Sequence, residues 1–300
     1  MTRALLPAPV LSWRARLLAL PFRVLAWLPM PVLRTVAALC GELLYLLVKR
    51  RRQIGLVNMR ICFPGLDDAA HRSLLRRHYR ELVSCVLSYG KLWFGSARSL
   101  EKLVHYEGYE HYKAVHGKQP VILLAPHFLG LDAGGIRLSH DVWGCSMYSA
   151  SHENPFDELL LAGRSRFGQT LLVRRNDGIR PIVKALRDDI SFYYLPDQDL
   201  GPRESIFVPF FGVPTATVPA MGKLARLSGA AVVPMITTLE GNRFVCRFYP
   251  AWQDFPAGDD VVDTARMNAF IEAQVRAFPS QYYWLHRRFK TRPEGEAPFY

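Results

Sequence analysis

Residues 121–135 read VILLAPHFLGLDAGG: a run of five apolar residues closed by Pro126, then His127, then Asp132 five positions further on among the glycines at 130, 134 and 135. So short and uniformly apolar a run fits a strand buried on both faces, the kind found in parallel sheets covered by helices. His127 then stands where a strand ends. In open α/β sheets that edge, outside the carboxyl ends of the strands, is where ligands bind. The glycines let the chain turn tightly before the next helix, so that Asp132 can fold back toward the imidazole. A histidine held by a carboxylate is a general-base arrangement. Taken alone, His-x4-Asp occurs by chance in many chains and more often marks a solvated turn, so its weight rests on what surrounds it.

Downstream, strand and helix patterns alternate. Residues 143–150 read as a strand followed by the loop Ser151-His152-Glu153-Asn154-Pro155, and 156–168 as a helix carrying Arg164 and Arg166. Residues 170–175 form a strand delivering Arg174 and Arg175 to its end, and 181–187 a helix with proline in the permitted first turn. Residues 191–195 are a strand ending in Pro196-Asp197-Gln198-Asp199. Residues 215–227 are expected to be helical, 230–237 a buried strand, 243–249 its antiparallel partner and 264–278 a last amphipathic helix. This alternation predicts an α/β fold: a mostly parallel central sheet flanked by helices, with polar side chains gathered at strand carboxyl ends.

The first 48 residues are rich in Leu, Ala, Val, Trp and Pro, are interrupted by Arg23, Arg34 and Glu42, and run into Lys49-Arg50-Arg51-Arg52. They hold no uninterrupted apolar run of spanning length and no signal-peptide cleavage pattern. A membrane-anchoring helical segment fits them, its arginines reaching the headgroups, Trp13 and Trp27 at the boundary and the basic cluster on the cytoplasmic side. The competing reading is a soluble helix pair packed on the core. With no internal repeat or linker, the chain divides into an N-terminal anchor, 1–52, and a single catalytic domain, 53–300. Residues 53–100 read as helical with His71 and His78 on a solvated face, and 106–117 as the polar end of a helix. The stretch FVPFF at 207–211 suits either an apolar tunnel or membrane contact, or a capped core edge.

A net charge of +12 and a pI near 9.7 imply an anionic partner. No zinc-finger spacing, aromatic-basic RNA motif or phosphate-binding loop is present, which lowers nucleic-acid and nucleotide readings. The five cysteines are scattered and odd in number, which suits free thiols in a reducing compartment. His105, His111 and His116 share no helical face, so no metal site is expected.

Three stretches together resemble a known family. His127-Phe-Leu-Gly-Leu-Asp132, the Pro196-Asp-Gln-Asp199 turn with Ser205-Ile-Phe-Val-Pro-Phe-Phe-Gly212, and the tail Trp284-Leu-His-Arg-Arg-Phe-Lys290 look like the late acyltransferases of lipid A biosynthesis, within the lysophospholipid acyltransferase superfamily. The His-x4-Asp element marks only the superfamily; the aspartate-glutamine turn with its aromatic loop and the basic tail are far more specific. The resemblance implies a glycerolphosphate acyltransferase-like fold. It also implies transfer of a fatty acyl chain from acyl carrier protein to a hydroxyl of a membrane glycolipid, on the cytoplasmic side of the bacterial inner membrane. It places the catalytic pair at His127 and Asp132, the family's arginine at Arg164, and the acid of its turn at Asp197, with Asp199 close by. Asp132 departs from the glutamate common among the lipid A enzymes and is the form usual in phospholipid acyltransferases, which leaves the acceptor open.

A thioester is already activated, so what the reaction needs is a base for the hydroxyl and a donor for the tetrahedral oxyanion. His127 is the expected base, with Asp132 setting its tautomer. The oxyanion donor is either the glycine-rich turn at 130–135 or Arg164. Arg164, Arg174 and Arg175 are candidate binders of acceptor phosphates. Arg287, Arg288 and Lys290 could serve the acidic carrier protein or anionic headgroups, or be a solvated helix end. No Gly-x-Ser-x-Gly elbow is present, and no metal, nucleotide or other cofactor enters this chemistry. Acylation of a lysophospholipid or of an amino-acid lipid such as an ornithine lipid, and a non-catalytic membrane-bound homologue, remain alternatives.

Overall fold

The computed structural model describes Leu6 and residues 9–148 and 154–300. The expected loop around His152 lies outside the described residues.

The chain opens with helices. α1 (Trp13–Leu25) is capped by the Ser12 side chain, which accepts from the Ala15 N–H; α2 (Met30–Leu47) and α3 (Lys49–Cys62) follow. The long α4 (Asp68–Phe94) is capped by Asp67, and α5 (Ala97–Leu103) by Ser96. Then come β1 (Val104–Glu107), α6 (Tyr109–Lys113), β2 (Val121–Leu124), α7 (Leu131–Asp141) and β3 (Gly144–Tyr148). α8 (Pro155–Arg164), β4 (Thr170–Arg174), α9 (Arg180–Arg187) and β5 (Ser191–Tyr194) continue the alternation. The last part holds β6 (Ile206–Phe210), β7 (Val213–Thr217), α10 (Ala220–Ser228), β8 (Ala231–Glu240), β9 (Arg243–Phe248) and α11 (Asp260–Ala277).

The main sheet has the order β1-β9-β8-β2-β5-β3-β4, parallel throughout except between β8 and β9. β2 is central, and all four of its residues are buried, as its apolar run requires. Side chains alternate across it: Ile122 and Leu124 enter a core with α10, α11 and the C-terminal tail, while Val121 and Leu123 enter a second core with α1, α4 and α7. The expected mostly parallel sheet flanked by helices is what forms.

Several expectations are corrected. His71 and His78 are buried, not solvated: each ring bonds a main-chain carbonyl, of Phe63 at 3.0 Å and of Ser280 at 2.9 Å. The stretch 106–117 holds the end of β1 and then α6. Only every second residue of the edge strand β1 is shielded, too weak a pattern to read in four residues. Residues 215–217 are strand rather than helix, because the FVPFF stretch forms a hairpin with them, β6 against β7. That hairpin packs on α11, buries Val208 and Phe210 and leaves Phe207 exposed, which makes it a capped core edge. The tail is irregular, and Arg288 is buried within it, donating to the Ala216 carbonyl (2.7 Å) and to Thr217 Oγ1 (2.8 Å).

At the amino end, α1 and α2 pack on α4. A side chain at Gly41 would come within 2.7 Å of the Arg80 backbone, which is why α2 carries glycine where it meets α4. The opposite faces stay apolar and exposed, with Trp13, Leu17, Leu20, Val24 and Trp27 on or just after α1 and Leu39, Leu43, Leu46 and Leu47 on α2. Among the described residues α2 alone is long and apolar enough to cross a membrane. The division expected at residue 52 falls inside α3, a continuous helix.

Candidate active site

β2 and β5 are neighbours in register, Leu124 opposite Tyr194, and each is followed by a proline one residue beyond the strand and its next residue, at Pro126 and Pro196. His127 and Asp197 each lie three positions past their matched partners, so parallel pairing delivers them side by side. Asp197 accepts the His127 backbone N–H through both oxygens, at 3.1 and 3.0 Å, and Oδ1 lies 2.7 Å from Nδ1. A carboxylate at Nδ1 makes that nitrogen the donor and leaves the Nε2 lone pair outward, where the Gln198 side-chain amide donates to it at 3.1 Å. Asp197 is buried, which alone would raise its pKa. The adjacent imidazole, its hydrogen bonds to His127 and the more distant Arg288 outweigh that and hold the carboxyl below its ordinary range.

The expected partnership of His127 with Asp132 is therefore corrected. Asp132 sits in the first turn of α7, accepts from Arg164 Nε at 2.6 Å and from the Tyr89 hydroxyl at 2.7 Å, and has no hydrogen bond to His127. Helix geometry is the reason: once α7 begins at Leu131, Asp132 follows the helix axis and meets α4 and α8 instead of turning back. Arg164 is committed through Nε, and neither of its terminal amino groups bonds a described residue. Burial opposes its charge while Asp132 holds it, with the net effect of raising its pKa, so it stays a cation. Burial, then Asp132, push the Tyr89 hydroxyl well above its ordinary value, and its ring stacks on Trp93 at 4.5 Å.

His127, Asp132, Arg164 and Gln198 all face one cavity of about 600 Å³, lined mainly by apolar side chains from α7, α8, β3, β5 and α10. Arg175 lines its rim and pairs with Glu204 at 2.8 Å. Arg174, the last residue of β4, is exposed, reaches the Tyr148 hydroxyl at 3.4 Å and is not among the lining residues. Asp199 turns the other way. Its carboxylate accepts from the Gly201 N–H (2.9 Å), the Thr291 N–H (2.6 Å) and the Thr291 hydroxyl (2.8 Å), and Lys290 lies 3.7 Å off. Its own N–H donates to His286 Nε2 at 3.1 Å. Asp199 thus clamps the tail to the turn, and Lys290 is engaged in that clamp. No cluster of three or more metal-ligating side chains occurs among the described residues.

Sequence reasoning missed Tyr89, Tyr193, whose hydroxyl donates to the Leu131 carbonyl at 2.9 Å, and Gln198 as a neighbour of Nε2. Nothing local marks the tyrosines, which arrive from α4 and β5. Gln198 had a signal: it adjoins an acid at a strand end matching that of His127.

The chain matches the family described as "Bacterial lipid A biosynthesis acyltransferase" over residues 8–291. It is 32% identical over 272 residues to the lipid A biosynthesis lauroyltransferase of Escherichia coli (strain K12), covering 89% of this chain and 88% of that one. It is 31% identical over 277 residues to the lipid A biosynthesis palmitoleoyltransferase of the same organism (91% and 90% covered). To its lipid A biosynthesis myristoyltransferase it is 31% identical over 272 residues (89% and 82%). These three are named for different acyl groups yet stand at nearly equal identity, so overall likeness does not select an acyl chain.

Proposed function

The chain belongs to the bacterial lipid A biosynthesis acyltransferase family, and from that premise we propose that it transfers a fatty acyl chain from acyl carrier protein to a hydroxyl of a lipid A precursor, at the cytoplasmic side of the bacterial inner membrane. The observation that carries the reaction is the His127–Asp197 contact at the mouth of an apolar cavity. His127 Nε2 takes the proton of the acceptor hydroxyl as its oxygen attacks the thioester carbonyl. Asp197 keeps Nδ1 protonated and stabilises the imidazolium; positioned base catalysis of this kind supplies about 10²- to 10⁴-fold. The tetrahedral oxyanion collapses, the C–S bond breaks, and the proton on Nε2 passes to the leaving thiolate.

Gln198 occupies the place of the incoming hydroxyl and swings aside for it. The Arg164 terminal amino groups, together with the first turn of α7, where Asp132 lines the cavity, are the donors suited to the oxyanion. Asp132 acts through Arg164, as a positioning residue. Arg175 at the rim is the better placed of the two strand-end arginines for an acceptor phosphate. The exposed apolar faces of α1 and α2, followed by Lys49 to Arg52 at the start of α3, suit attachment to an anionic membrane. The acidic carrier protein suits the net charge of +12.

The test is transfer from labelled acyl carrier protein to a lipid A precursor by purified protein in detergent. His127→Ala should lower the rate by at least about 10³-fold while the protein stays folded and membrane-bound. Full activity of that variant would refute the mechanism, and transfer to a lysophospholipid in preference to the glycolipid would refute the acceptor.

A further inference from the structure

The cavity beside His127 is not a single slot. β3 pairs with β5 only as far as Ser146 opposite Tyr193, whereas β3 stays paired with β4 to Tyr148 opposite Arg174, and β5 with β2 to Tyr194 opposite Leu124. The sheet therefore splits between β3 and β5 at its carboxyl edge. Lining side chains come from both of its faces. On the face toward α7 and α8 they include Ser146, Leu172 and Tyr193; on the face toward α9 and α10 they include Cys145, Phe192 and Leu224. Tyr193 belongs to one of the two cores and Cys145, Phe192 and Leu224 to the other, and strand register puts Ser146 and Leu172 on the face of Tyr193. A cavity lined from both faces has two lobes that meet through the split.

The lobes differ in how exposed their described lining side chains are. The α7/α8 lobe runs along α7 from Asp132 to Ser139, about 10 Å at 1.5 Å per residue, and along β3 from Tyr148 to Gly144, about 13 Å. Its apolar lining is buried or half-buried along that length. The α9/α10 lobe is rimmed by Ile179 and Leu200, 43% and 39% exposed, and by Arg175. A lobe lined by buried and half-buried apolar side chains suits a chain that enters whole and is cut from its carrier. An open lobe with a cation at its rim suits a chain whose other end stays outside, attached to an anionic headgroup.

Resting on the reading of the site as an acyl-thioester transferase, we propose that the α7/α8 lobe holds the donor's acyl chain and that the α9/α10 lobe is a separate site for a hydrocarbon chain of the acceptor lipid. The two chains lie on opposite faces of the sheet, and the ester bond forms where the lobes join beside His127. Gly144 marks the inner end of the donor lobe. A Cβ there meets nothing closer than the Ser191 carbonyl at 3.7 Å, so a side chain extends into the lobe without displacing backbone. Ala220, at the start of α10, lines the acceptor lobe.

The test uses full-length protein in mixed micelles, with acyl carrier protein thioesters of graded chain length, a lipid A precursor as acceptor, and donor hydrolysis without acceptor as an independent reading of the donor lobe. Gly144→Leu should lower kcat/KM at least ten-fold for the longest donors relative to the shortest, in transfer and in hydrolysis, with the acceptor KM unchanged. Ala220→Phe should raise the acceptor KM at least ten-fold while leaving the ranking of donors and their hydrolysis as in wild type. Should either variant not fold, Gly144→Ala and Val218→Leu put smaller groups in the same lobes, with the same signs expected. If both variants shift the donor ranking, or neither moves its own substrate, the two-lobe assignment is wrong. Wild-type protein that hydrolyses the thioesters yet acylates no lipid A precursor would instead refute the acceptor class proposed above, and the effect of Gly144→Leu on hydrolysis would still decide the donor lobe.

Discussion

The turn after β5 carries two buried carboxylates two residues apart, and they serve opposite ends of the molecule. Asp197 faces the end of β2 and holds His127 by main chain and side chain together. Asp199 faces the C-terminal tail and binds Gly201, Thr291 and Lys290, while its N–H meets His286. Each acid thus adjoins a histidine, but the contacts differ in kind. At His127 the carboxylate itself receives the ring N–H, so Nδ1 is the donor and the Nε2 lone pair is left outward. At His286 a backbone N–H points into the ring nitrogen, and burial lowers the pKa to about 4, so that ring stays neutral. The same pair of residue types makes a base in one place and a fastening in the other, according to which atom faces the ring.

The largest effect that separates the two is on catalysis. Asp197→Asn keeps the volume and can still accept the His127 backbone N–H, but it neither enforces the Nδ1–H tautomer nor stabilises the imidazolium. Acyl transfer should fall by about 10³- to 10⁴-fold with the melting temperature little changed. Asp199→Asn should leave the rate within about three-fold of wild type. Steady-state transfer assays on both proteins check this, and equal losses would erase the distinction drawn between the two acids.

That distinction also marks what was legible in the residues. The α/β class, the antiparallel β8–β9 pair and the placing of His127 at a strand end follow from short apolar runs and their punctuation, which are local. The partner of His127 is not local. Asp132, five residues away, is the natural choice along the chain, and Asp197, seventy residues away, is the actual one. It becomes visible only when β2 and β5 are known to be neighbours in register, since both then carry their polar residue equally far past the strand. Arg288 shows the same limit from the other side. In a basic tail it reads as surface charge, yet it is 2% exposed, because the β6–β7 hairpin offers it the Ala216 carbonyl and Thr217. Burial of a charge is decided by distant acceptors, and composition carries no trace of them.

A smaller effect, on stability, sharpens the other half of the comparison. Asp199→Ala strands the N–H groups of Gly201 and Thr291 and the Thr291 hydroxyl in a half-buried setting. Losing charge-assisted bonds of this kind costs about 3 kcal/mol. Denaturant unfolding should show a lowered midpoint for Asp199→Ala and a nearly unchanged one for Asp197→Asn. Lys290, half exposed, adds little to that figure.

The smallest effect lies in pH. His286 and His78 both have pKa values pushed down to about 4, in each case chiefly by burial. Their unfolded value is near 6.5, so between about pH 6.5 and 4 the unfolded chain binds protons that the folded chain refuses. The stability they contribute is fully present above pH 6.5 and is lost as the pH falls toward 4, by up to about 3 kcal/mol for each. A protonated His286 can no longer accept the Asp199 N–H, so acid loosens the fastening end of the turn. Asp197, whose carboxyl is held below its ordinary range, keeps its charge through the same window. His286→Gln retains an acceptor for that N–H without titrating. Its melting temperature should therefore fall less steeply than that of wild type between pH 7 and pH 4.5, while its transfer rate at pH 7 stays within about three-fold. A slope equal to wild type would mean that His286 takes up its proton as readily folded as unfolded, and the contrast between the two histidines would then rest on His127 alone.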